Sequence, residues 1–179
     1  MLADEFPARM YFQVLSFYKA SKALGALLDD FGESGPLLKI LALEILMKCL
    51  FVIEYSKLPN FGHDYSKLFS QLGDETQKTI LGKAANRYGK HADLSEPARI
   101  LGDLSSVFLN GRYSYELRKD HSDAEILEIG KEWMKAGAKP EHADFNYWPS
   151  EANALIFAMA DQIQYSLGLP QMDVLSDMV

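Results

Sequence analysis

An all-α bundle of six or seven helices, with no sheet, is the fold that the sequence predicts. Three observations lead to it. Apolar residues recur at three- and four-residue steps along most of the chain. No segment alternates polar and apolar residues at a two-residue period. Helix-start signals, with Pro in a first turn or Ser/Asp followed by Glu/Gln, fall where the apolar steps begin.

The elements follow in order. A first helix is expected from Pro7 or Ala8 to Leu28, with Met10, Val14, Phe17, Ala20, Leu24 and Leu27 as its apolar stripe. Asp29, Asp30 and Gly32 end it, and Ser34-Gly35-Pro36 opens a second helix to about Ser56. That helix is apolar almost all round, which suits the centre of a bundle. Pro59 and Gly62 break the chain before a short helix from His63 or Asp64 to Leu72.

Asp74-Glu75-Thr76-Gln77 has the form of a capping box for a helix to Tyr88. Ser95-Glu96-Pro97 opens a helix whose stripe is Ile100, Leu101, Leu104, Val107 and Phe108. It is expected to continue through Arg112 to Arg118, with Asn110-Gly111 marking a kink. Ser122-Asp123-Ala124-Glu125 is the clearest capping box, for a helix from Asp123 to about Ala136. Ser150 is expected to cap a last helix to Leu167. Residues 1–169 are then expected to form one helical domain, and 170–179 an acidic tail that is either frayed or in contact with a partner.

Composition narrows the function classes. At 48% hydrophobic, the 179 residues supply a full core without disulfide staples. A net charge of −7 speaks against a dedicated DNA-binding surface, while leaving room for a local basic site. The single cysteine, Cys49, sits in an apolar run and excludes an internal disulfide or a thiolate zinc cluster. With an acidic rather than basic N-terminus, it suits a cytoplasmic protein. The apolar stretch from Leu37 to Ile53 is interrupted by Lys39, Glu44 and Lys48 and is shorter than the ~20 residues of a membrane span. It reads as a core helix, so no membrane partner is expected.

Three constellations carry candidate chemistry. Glu44 and Lys48 lie one turn apart on the apolar helix, in the favourable order for an ion pair. Buried charges need partners, so others must converge on them or the pair must reach the bundle edge. In Phe61-Gly62-His63-Asp64-Tyr65, Gly62 permits an unusual turn, and His63 and Asp64 stand at a helix start. There His63 either donates to a carboxylate such as Glu44 or merely fixes the loop. In Arg112-Tyr113-Ser114-Tyr115-Glu116, Arg112 and Glu116 share a helix face flanked by Tyr113. Arg112 either forms a surface pair with Glu116 or turns inward toward Glu44.

The order of these three segments, over Leu37 to Glu116, resembles the HEPN superfamily. The resemblance implies a helical bundle that dimerises. It also implies either an RNase of a toxin–antitoxin or phage-defence system, or a non-catalytic RNA- or nucleotide-binding module paired with a nucleotidyltransferase. An antitoxin partner goes with the toxin alternative.

Nuclease members carry an Arg and then a His on one helix, with roughly four to six residues between them, for acid–base and phosphate chemistry. Here the positions at that distance from Arg112 are Leu117, Arg118 and Lys119, and the next histidine, His121, comes nine residues on. Arg118 to His121 and Arg87 to His91 are too closely spaced. The resemblance therefore favours a binding module, with Glu44, Lys48, His63, Asp64, Arg112, Tyr113 and Glu116 as the polar cluster. An RNase would draw on His63, Arg112 and Glu44, and a third reading treats all of these residues as a structural network that locks the bundle.

No Glu-x-x-His pair, phosphate-binding Gly loop or nucleophile elbow occurs, so no metal site and no cofactor are expected. His91, His121 and His142 read as surface residues. Tyr147-Trp148 reads as an aromatic staple on the bundle, with an exposed stacking platform as the alternative.

Overall fold

The computed structural model describes residues 5–26, 34–60, 62–111, 119–137 and 146–169. The expected tail at 170–179, the continuation from Arg112 to Arg118 and His142 lie outside these residues. The described residues form seven α-helices and one 3-10 turn, with no strand among them. The fold is an all-α bundle.

α1 (Phe6–Gly25) and α2 (Ser34–Tyr55) form the most extensive helix pair. The buried row of α1 is Tyr11, Val14, Leu15, Tyr18 and Ser21 rather than the expected stripe. Met10 and Phe17 flank that row, partly buried against the core. The difference arises because Tyr11 and Tyr18 bury their rings at helical spacing although each carries a hydroxyl. Burial holds Tyr18 protonated, its pKa pushed up to about 12.

α2 is central. It packs on α1, on α3 (Tyr65–Ser70), on α5 (Pro97–Gly111) and on α7 (Pro149–Leu167). Its buried residues include Ile40, Leu43, Met47, Cys49, Phe51 and Val52, which are spread around the axis. No described helix is long and apolar enough to cross a membrane.

α4 (Asp74–Tyr88) leans on α7, burying Ile80 and Ala84, and a 3-10 turn at Gly89–His91 ends it. Two expected caps are corrected. Gly73, not Asp74, stands at the N-cap of α4, and no side chain caps that end. Gln77 instead donates to the Leu72 carbonyl at 2.7 Å, and the Gly73 N–H donates to Glu54 at 2.9 Å. Likewise α7 begins at Pro149 with Trp148 at its N-cap, so Ser150 lies inside the helix. Pro at the first position removes one of the orphan amides that a cap would have served.

Trp148 donates its indole N–H to Asp103 at 2.8 Å, and Tyr147 packs against the core with its pKa pushed up to about 12 by burial. The aromatic pair is a staple on the bundle. α6 (Asp123–Lys135) forms the expected capping box, with reciprocal bonds between Ser122 and Glu125. None of its residues is buried, and it has no extensive contact with another described helix.

Candidate functional site

The site grows from the middle of α2. Glu44 is sealed, its side chain 4% exposed, and its two carboxylate oxygens take different partners. Oε1 accepts from the Lys48 ammonium at 2.7 Å. Oε2 meets Nδ1 of His63, also at 2.7 Å. One oxygen is thus used within the helix, and the other ties the turn before α3 to the bundle centre.

Local chemistry puts His63 in place. Gly62 has φ +55, a left-handed conformation that a glycine adopts without strain. This sharp turn swings His63 back over α2. Asp64 then caps α3, its Oδ1 accepting from the Lys67 N–H at 2.9 Å. Two residues of α5 complete the seat: the Ser105 hydroxyl donates to the His63 carbonyl, and the Phe108 ring lies 4.9 Å from the imidazole, centroid to centroid.

The burial is graded. Beneath the sealed carboxylate lies the apolar core, whereas the side chains of Lys48 and His63 are 25% and 39% exposed. A carboxylate deep in the bundle is therefore paired with one ammonium and hydrogen-bonded to one imidazole, both of which reach the surface, and this limits its desolvation cost. With Nδ1 bonded to a carboxylate, the imidazole is fixed in orientation and its Nε2 edge is left for another partner.

Of the residues singled out by the sequence, the structure brings Glu44, Lys48 and His63 together. Asp64 stands next to them but serves as a helix cap, exposed and facing Lys67. Arg112, Tyr113 and Glu116 lie outside the described residues. The last described residue of α5, Gly111, approaches the side chain of Leu37, about two turns before Glu44 on α2. His91 and His121 are exposed, as expected.

Ser105 and Phe108 were not anticipated as parts of the site. The signal for Ser105 is its place: a hydroxyl between Leu104 and Val107 on the buried face of α5 needs a polar partner. Among the described residues no group of His, Cys, Asp or Glu is arranged to hold a metal ion. Cys49 is buried, its Sγ 3.3 Å from the Pro7 carbonyl oxygen and its pKa pushed up to about 12 by burial, which makes it a poor nucleophile. No family model matches the chain, and no curated protein or solved structure matches it.

Proposed function

We propose that the chain is a HEPN-like module that dimerises and binds RNA or a nucleotide at the surface edge of the Glu44 cluster, without cleaving it. One observation carries this reading: His63 and Lys48 are anchored on the two oxygens of one sealed carboxylate, yet both reach solvent. The Lys48 ammonium at this surface edge suits a phosphate group, which accepts charge-assisted hydrogen bonds, and the outer edge of the His63 imidazole stands beside it. The unmatched spacing after Arg112 supports binding over cleavage. On this reading a nucleotidyltransferase is the partner class to seek.

The second reading is a metal-independent RNase, toxin or defence factor, and the Glu44–His63 bond favours it. A carboxylate that orients an imidazole is a common setting for a general base.

The test uses labelled single-stranded RNA with wild type, Lys48→Ala, His63→Ala and Arg112→Ala. Binding by fluorescence anisotropy should weaken about tenfold in the Lys48 and His63 variants, the equivalent of one lost charge-assisted bond. Gels should show intact RNA throughout. Binding unaffected by those two substitutions would sink the proposal. Cleavage by the wild type that is lost in both the His63 and Arg112 variants would establish the RNase reading and make an antitoxin the partner class to seek. Light scattering should give a dimer mass, and a monomer at micromolar concentration would count against the module as described.

A further inference from the structure

A groove of about 360 Å³ opens between α4 and α7, lined by Lys83, Asn86, Arg87, Phe157, Ala158 and Asp161. Neither α3 nor α5 contributes to it, so it is separate from the Glu44 cluster. Its volume falls at the lower end of the roughly 300–1,000 Å³ usual for small-molecule sites. Lys83, Arg87 and Asp161 sum formally to +1, a basic spot on a chain whose net charge is −7.

The cations are positioned rather than loose. Lys83 pairs with the carboxylate of Asp161 across the groove. The Arg87 guanidinium lies over the Phe157 ring, 4.4 Å from its centroid. Stacking of this kind uses the guanidinium face and directs its N–H donors along the plane. Lys83 and Arg87 are one turn apart, about 6 Å along the axis, a span that one phosphate group bridges. Tyr165, one turn beyond Asp161, is 82% exposed, and the Lys83 ammonium is 6.0 Å from its ring centroid. A large aromatic side chain so exposed, beside a held cation, offers a flat face for stacking.

We infer that this groove binds a nucleoside monophosphate, with its phosphate on Lys83 and Arg87 and its base stacked on Tyr165. Asn86, at the groove wall between the two cations, supplies an amide that both donates and accepts toward the sugar or base edge. Phosphate and base are both required by this arrangement. The inference is independent of the Glu44 cluster and stands whether or not that cluster binds RNA.

The experiment is titration calorimetry of the full chain with AMP, with adenosine and inorganic phosphate as separate arms. AMP should bind at least about tenfold more tightly than either fragment, since each contributes only one of the two contacts. Tyr165→Ala, at an exposed position, should weaken AMP binding about fivefold or more with an unchanged melting temperature. Lys83→Gln with Arg87→Gln should abolish the Tyr165-dependent part of the heat, with a melting curve to check that this variant is folded. Lys131→Met, on the exposed face of α6, should leave AMP affinity as in wild type. Phosphate binding as tightly as AMP overturns the assignment. So does no heat with millimolar AMP, or AMP binding that is indifferent to Tyr165 and to the two cations.

Discussion

α2 and α6 are opposite cases of helix formation. α6 has strong local signals: a reciprocal capping box, acidic residues in its first turn, Lys135 in its last, and an apolar face. It nevertheless has no fully buried residue, and Leu127, Ile129 and Met134 are exposed. α2 has no acidic residue in its first turn and no basic residue in its last, yet it is the centre of the bundle. Local signals determine where a helix forms, whereas a partner surface determines whether its apolar residues stabilise the protein. Charge pairs follow the same rule. Glu128 and Lys131 on α6 pair at 3.2 Å with both side chains half exposed, and such pairs contribute little. Glu44 and Lys48 form a similar pair where solvent is excluded from the acid.

The sharpest way to break this comparison is to remove the partners of the buried acid. Lys48→Met combined with His63→Phe fills the space but leaves Glu44 unpaired, and should cost about 3–5 kcal/mol by chemical denaturation. Adding Glu44→Met should recover most of the loss, because an apolar trio has nothing left to desolvate. Lys131→Met on α6 should change stability by less than about 0.5 kcal/mol. Failure of the Glu44→Met rescue would mean that the pair also fixes the turn at Gly62.

Next in size are the apolar truncations. Leu43→Ala, at a fully buried position of α2, should cost about 2–5 kcal/mol, and Leu127→Ala or Met134→Ala on α6 about 0.5 kcal/mol or less. A comparable loss from the α6 variants would show that its apolar face is covered in solution.

The two regions should also respond to opposite ends of the pH scale. Burial raises the folded pKa of Tyr18 and Tyr147 to about 12. In the unfolded chain both titrate near ~10, so their contribution is complete below that pH and is lost as pH rises toward 12. Glu125 is shifted the other way, lowered by the backbone and then the side chain of Ser122. Its cap contribution is present above the ordinary carboxylate range and is lost as pH falls through the lowered value. Alkaline titration followed by tyrosine absorbance should therefore report on the packed helices. Acid titration by hydrogen exchange should show α6 opening before the core.

The smallest effect is that of Ser122→Ala. It should lower the local stability of α6 by about 1 kcal/mol, seen as faster amide exchange there, with no change in the denaturation midpoint of the bundle.

Fold class and most helix positions were legible because periodicity and start signals are local properties. The second helix and the Ser122 box came out close to their predicted bounds for that reason. The face of α1 did not, since ranking Tyr11 and Tyr18 below Met10 and Phe17 shifted the stripe by one position. Asp74 and Ser150 failed as caps because both lie inside their helices, where Gly73 and Trp148 take the N-cap positions and Pro149 occupies the first turn of α7. In the site, Glu44 and Lys48 were legible as charges on an apolar helix in need of partners, and His63 as a candidate donor to Glu44. The support from Ser105 and Phe108 was not, because it depends on how α5 crosses the turn before α3.

The meeting point of α1 and α2 has a consequence for engineering the chain. Ser21 donates its hydroxyl to the Gly35 carbonyl at 2.7 Å, and a methyl group on Gly35 would come within 3.2 Å of the Ser21 carbonyl oxygen. The register of the two helices is therefore clamped by the helices themselves and does not depend on the length of the connection between them. Gly35→Ala should therefore loosen the α1–α2 pair from within.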